Sequence, residues 1–271
     1  MTTSLDPVHT RPRAGTATRT SVGLVTATAT LSVQKLKAAA RSGDVVLAFL
    51  SPVVFFICFF VPLHRRFELT GLDYAQYLTP IILLQACLFT AIVATETAAG
   101  DARAGMRERL VSLPIPRSAP ILSRMSWVLA RLLITLAGGL LIGASLGFGF
   151  HGSIVDTLGF FVLVIVFGLS LSLFTDAIGS RTRNSAGLVS IMMIPELVAI
   201  MASTGLVPAE SFPHWIQSFV RNQPLSVFAE ALRGLASPQT PELTAVLVWS
   251  FGLLAAGWLT ILWSGRAQVK R

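Results

Sequence analysis

The sequence predicts an all-α integral membrane protein. Six transmembrane helices, an N-terminal amphipathic helix and two short outer re-entrant helices between spans five and six are expected, with both termini in the cytosol. Three observations predict this. First, 53% of the 271 residues are hydrophobic and 13% are charged, with a mean hydropathy of +0.71. A typical soluble domain carries about 25% charged residues, and it needs more polar cover than this chain offers. Second, the apolar residues fall into charge-free runs near the ~20 residues that a helix needs to cross hydrocarbon. Third, most of the basic residues lie on one side of the expected spans. Disorder is excluded by the same composition. The net charge of +8, which in a soluble protein would point to nucleic acid, finds its explanation in that sidedness.

Residues 1–22 are rich in Thr, Arg and Pro. They contain no apolar block of the signal-peptide kind, so a disordered cytosolic tail is expected. Residues 23–43 place Leu24, Leu31 and Leu36 among small residues, with Lys35, Lys37 and Arg41 near the end. That pattern fits an amphipathic helix on the membrane surface or a plain helical linker. A six-helix domain follows over 44–265, with spans at about 45–63, 74–98, 125–150, 154–177, 184–208 and 242–264, and a cytosolic tail closes the chain at 266–271. Helices are expected because an open strand would leave backbone groups unpaired in lipid.

Six spans put both ends on one side. With that side as the cytosol, the inner segments hold Arg11, Arg13, Arg19, Lys35, Lys37, Arg41, Arg103, Arg107, Arg109, Arg117, Arg124, Arg181, Arg183, Arg266, Lys270 and Arg271. The outer segments hold only Arg65, Arg66, Arg221 and Arg233, and Arg131 sits near the start of a span. This bias satisfies the positive-inside rule.

The inner stretch Gly100–Arg124 is densely charged and then interrupted by Pro114, Pro116 and Pro120. Met106–Leu113 can form a short amphipathic helix with Leu110 and Leu113 on one face, which Pro114 would end. Such a helix suits a push from a cytosolic partner; a basic loop held by anionic headgroups is the other reading. The outer stretch Ser203–Pro241 keeps a recurring apolar set that includes Phe212, Trp215, Phe219, Leu225, Phe228 and Leu232. Two short helices, Phe212–Val220 and Leu225–Ala236, are expected around the break Asn222-Gln223-Pro224. They would dip into the outer leaflet, where helical or protein-packed backbone is tolerated, or fold into an outer cap.

Charges within lipid are costly, by about 2.5–3.5 kcal/mol at the bilayer centre on the insertion scale. Glu96, Arg131, Asp156 and Asp176 fall near span ends and are expected at headgroup level or in pairs. Glu196 lies midway along span five beside Pro195, which kinks the helix. It is a candidate for the translocation path, or else a structural group bonded to a neighbouring helix. Gly138, Gly139, Gly143, Gly147 and Gly149 permit close helix packing. Cys58 and Cys87 form neither metal spacing nor a disulfide framework, and packing is expected of both.

No catalytic residue and no metal ligand are expected. The lysines are Lys35, Lys37 and Lys270, and none follows a glycine as a nucleotide-binding P-loop requires. His9, His64, His151 and His214 are scattered. A proton-coupled secondary transporter, with Glu196 or Asp176 carrying the proton, is the competing class. It calls for internal repeats, and none is visible between 45–150 and 157–265.

Glu108–Arg117 (ERLVSLPIPR) resembles the coupling-helix motif of type-2 ABC exporter permeases. Phe212–Gly234 (FPHWIQSFVRNQPLSVFAEALRG) is similar to the outer re-entrant motif of their daunorubicin-resistance branch, with Asn222, Pro224, Glu230 and Arg233 at the motif positions. The resemblance runs from about residue 25 to the end. The family often has Glu-x-x-x-Gly-Thr before the coupling helix; here Asp101, Gly105 and Met106 stand there. The resemblance implies a half-transporter that pairs with an identical or related permease and binds two copies of a separate ATPase, which would hold ATP and magnesium. It implies export of a hydrophobic drug such as an anthracycline, as in antibiotic resistance, or of a cell-envelope lipid such as phthiocerol dimycocerosate, across the bacterial cytoplasmic membrane. The helix at 23–43 would be the elbow helix. Met106, Arg107, Glu108, Arg109, Leu110, Leu113 and Pro114 would couple to the ATPase.

Overall fold

The computed structural model describes residues 24–68, 71, 73–105, 119–182, 185–237 and 243–266. Among them are nine α-helices, one 3₁₀ turn and no strand. The helices are α1 Leu24–Ser42, α2 Asp44–Glu68, α3 Tyr74–Arg103, α4 Ala119–Ser145, α5 Ile154–Gly179, α6 Ser185–Met201, α7 His214–Asn222, α8 Pro224–Ala236 and α9 Leu243–Arg266, with the 3₁₀ turn at Ala209–Ser211. Four helical stretches are long and apolar enough to cross a membrane: Asp44–Arg65, Tyr74–Arg103, Ala119–Ser145 and Ile154–Gly179. Gly187–Met201 and Thr244–Gly257 are shorter apolar stretches. The chain is a multi-pass membrane protein.

The helix starts follow from local chemistry. The Asp73 carboxylate accepts from the Ala75 and Gln76 amides, satisfying donors that the first turn of α3 leaves without partners. Ser153 and Asp156 close a reciprocal capping box at the start of α5. Pro224 opens α8, where its missing N–H costs nothing.

The centre of the bundle is α3. Most of its length is buried, and it packs against α2, α4, α5, α6 and α8. The core gathers Phe56, Leu78, Leu83, Leu132, Phe160 and Phe228 from five of these helices. The α4 helix approaches α2 and α3 closely through glycine. A Cβ at Gly138 would run into the Phe49 carbonyl, and one at Gly143 would lie 2.7 Å from Thr79 Oγ1. These contacts are the close packing anticipated for Gly138, Gly139 and Gly143, whereas Gly147 and Gly149 lie beyond the end of α4.

Several helix ends differ from the apolar runs: α2 continues to Glu68 rather than 63 and α3 to Arg103 rather than 98, and α4 and α6 stop early for local reasons. The α4 helix spans Ala119–Ser145 rather than 125–150. It stops where Gly147 takes φ +116° and the Phe148 amide turns back to the Gly143 carbonyl at 2.9 Å. The α6 helix stops at Met201, short of 208. There Ser226 Oγ accepts from the Thr204 amide and Ser203 Oγ accepts from the Gly205 amide, each at 3.0 Å. Side-chain hydroxyls thus replace the carbonyl partners a continuing helix would use. Cys87 is buried, whereas Cys58 is exposed on α2, so the packing expected of both holds within this chain for Cys87 alone.

Candidate functional site

Of the residues singled out in the outer motif, Glu230 and Arg233 meet at the end of α6. Asn222 is the last residue of α7, and its Nδ2 donates to the Ser218 carbonyl at 2.8 Å. Gln223 is extended and separates the two helices. Its Nε2 donates to the Ala199 carbonyl at 3.1 Å, holding the break against α6. Glu230 and Arg233 lie one turn apart on α8. Glu230 Oε1 accepts from Thr204 Oγ1 at 3.1 Å. Arg233 Nε donates to the Tyr77 carbonyl at 3.1 Å, and its Nη2 donates to the carbonyls of Thr204 at 3.1 Å and Gly205 at 2.8 Å. The guanidinium carbon sits 3.6 Å from the centroid of the Tyr77 ring, and the Tyr77 hydroxyl donates to the Thr204 carbonyl. Acid and base therefore meet through Thr204 rather than through each other. Two of the carbonyls that Arg233 binds, those of Thr204 and Gly205, lie in the turn that follows α6, where no further helical turn supplies donors. Donors carried by a charged group make the stronger bonds. The sequence reading did not single out Tyr77, Thr204, Ser203 or Ser226, and it named Gln223 only as part of the break. The run Ser203-Thr204-Gly205, poor in helix formers, was the available signal.

Glu196 follows Pro195 on α6. It is 8% exposed, and neither carboxyl oxygen has a hydrogen-bond partner among the described residues. Its neighbours Ile194, Leu197 and Val198 face outward, so the carboxyl side of α6 turns into the bundle and the aliphatic side turns away. Gln85 on α3 and Ser172 on α5 also keep buried side-chain oxygens without partners among the described residues.

The expected ATPase-coupling residues Met106, Arg107, Glu108, Arg109, Leu110, Leu113 and Pro114 lie outside the described residues. Their two flanks are described and joined. Arg124, in the second turn of α4, donates through Nε to Asp176 Oδ1 at 2.6 Å and through Nη2 to Asp176 Oδ2 at 2.9 Å. Asp101, in the last turn of α3, accepts from Lys35 Nζ at 3.0 Å and lies 3.8 Å from Arg124 Nη1. Arg131 pairs with Asp44, Asp156 caps its own helix and Glu96 is exposed. The span-end charges are thus paired, capping or exposed. No three His, Cys, Asp or Glu side chains among the described residues are placed to share a metal ion.

These arrangements tether helices. The comparisons agree with a membrane transporter. Residues 61–265 match the model of the ABC-2 family transporter protein. The chain is 33% identical over 229 residues to the doxorubicin resistance ABC transporter permease protein DrrB of Mycobacterium tuberculosis, covering 79% of each chain. It is 27% identical over 212 residues to the probable doxorubicin resistance ABC transporter permease protein DrrC of the same species, covering 77% of this chain and 76% of the relative. It is 27% identical over 217 residues to the daunorubicin resistance ABC transporter permease protein DrrB1 of Streptomyces coeruleorubidus, covering 78% and 75%. With a family match over most of its length and a relative at this identity, the chain belongs to the ABC-2 family of transporter proteins.

Proposed function

We propose that this chain is the permease subunit of an ATP-driven exporter that moves a hydrophobic drug or a cell-envelope lipid outward across the bacterial cytoplasmic membrane. The observation that carries the reading is that relatives matched over three quarters or more of the chain are named as drug-resistance ABC transporter permeases. In this reading α2, α3, α4, α5, α6 and α9 are the six spans, α1 is the elbow helix, and both termini are cytosolic. The α7 and α8 helices form the outer re-entrant pair. Trp215 and Phe219, exposed on one face of α7, support that assignment, because such a face suits the lipid interface better than water. A separate ATPase, in two copies, binds ATP and magnesium and drives Met106–Pro114, and a second permease, identical or related, completes the path. Glu196, whose buried carboxyl oxygens have no partner among the described residues, lines that path.

Work requires that the inward and outward states differ in affinity for substrate. The direct test is proteoliposomes that hold the chain and its cognate ATPase, with doxorubicin as the probe. Uptake that requires ATP and survives a protonophore is expected. Uptake driven by a proton gradient alone would reverse the reading in favour of a secondary transporter.

A further inference from the structure

We infer that Arg124 is a positioning residue, which passes movement of the inner loop to the surrounding helices through the charge chain Lys35–Asp101–Arg124–Asp176. The inference rests on the permease reading and deepens it, because it names how the stroke leaves the loop.

The four side chains alternate in sign and belong to four helices: α1, α3, α4 and α5. Asp101 lies just before residues 106–118 and Arg124 just after them, so two members bracket the segment expected to meet the ATPase. The Arg124 and Asp176 side chains are 13% and 5% exposed, and Arg124 grips both carboxylate oxygens. A bidentate grip fixes direction as well as distance, and breaking a buried pair by removing one partner is far more costly than breaking an exposed one.

The other contacts of these helices decide what the chain can move. The α3 and α5 helices are locked together near the same level. A Cβ at Gly179 would run into the Thr95 backbone, and Thr175 Oγ1 donates to the Ala91 carbonyl at 2.9 Å. A displaced α4 start therefore acts on α3 and α5 as one body through Asp176. The α1 helix packs on α4 and α2. A cavity of about 500 Å³, bordered by Lys35, Asp44, Leu47, Val93, Thr97 and Trp127, opens between α1 and the adjoining faces of α2, α3 and α4. Lys35–Asp101 bridges α1 to α3 beside that gap.

The test uses the chain with its cognate ATPase in proteoliposomes and reads doxorubicin moved per ATP hydrolysed, together with assembly and melting of the complex. Arg124→Gln is expected to lower that ratio at least ten-fold in assembled complex; an unchanged ratio overturns the inference. The swap Arg124→Asp with Asp176→Arg restores the α4–α5 bond but sets a carboxylate against Asp101. Assembly and melting should recover while the ratio stays low. Recovery of the ratio as well would make the bond a local brace and overturn the relay. Should Arg124→Gln fail to assemble, Lys35→Met decides, since it cuts only the α1 tether: a several-fold lower ratio supports the relay and an unchanged one overturns it. A wild-type control that moves no doxorubicin with ATP removes the permease reading, and the relay with it.

Discussion

Arg233 shows how much one side chain holds where α8 meets the end of α6. Its guanidinium serves three backbone carbonyls and lies on an aromatic ring. Hydrogen bonds to charged groups contribute about 1.5–3 kcal/mol, so Arg233→Ala should destabilise the chain by about that amount, seen as a lower melting midpoint in nanodiscs. Arg233→Lys should recover little, because an ammonium lacks the planar fork. An unchanged midpoint for the alanine variant would show that water or lipid serves those carbonyls equally well. Glu196 is a different kind of residue, with inward oxygens that nothing described binds. If it lines the path, Glu196→Gln should keep assembly and melting but change doxorubicin export at least several-fold. Wild-type export by that variant would leave the carboxyl a structural role only. Glu196 was recognisable in the sequence, since a carboxyl in an apolar run is conspicuous. The partners of Arg233 were not, because Tyr77 lies 156 residues away along the chain.

Among the elements, legibility divides along the same physical line. The starts of α3 and α5 fall where the apolar runs begin, next to Asp73 and Ser153, because lipid thickness and charge cost act locally, whereas α3 runs on past 98 to Arg103. Ends set by tertiary bonds could not be bounded in this way. The α6 helix stops at Met201 because Ser203 and Ser226 bond the turn beyond it, and Ser226 belongs to another helix. Pairing of charges was expected near the span ends, but the partners were hidden: Arg124 and Asp176 are 52 residues apart, Arg131 and Asp44 are 87. The inner loop is the element whose expected role is sharpest. Leu110 and Leu113 share the apolar face of the amphipathic segment that the sequence predicts. Leu110→Asp would set a charge on the surface proposed to enter the ATPase. Membrane insertion should be normal, while co-purification of the ATPase should fall at least ten-fold. A normal yield of ATPase with that variant would move the coupling surface elsewhere.

At the scale of the whole molecule, sidedness binds the readings together. If Met106–Pro114 meets a cytosolic ATPase, then Gly71, His151 and Ser211, at the opposite ends of the spans, must face outward. The basic residues already divide this way, and loop arginines and lysines set orientation more strongly than acidic residues do. The Arg124–Asp176 pair and the Arg233 knot then lie at opposite faces, one beside the inner loop and one beside the outer re-entrant helices. The α3 helix links the two, carrying Asp101 at one end and Tyr77 at the other, and α5 links them as well, carrying Asp176 and packing on α8. Single cysteines decide the orientation. With Cys58→Ser and Cys87→Ser as background, Gly71→Cys, His151→Cys and Ser211→Cys should react with a membrane-impermeant maleimide in intact cells, whereas Ala104→Cys and Thr182→Cys should react only after the membrane is opened. The reverse pattern would put the expected coupling segment outside the cell, beyond reach of cytosolic ATP, and the exporter reading would fail with it.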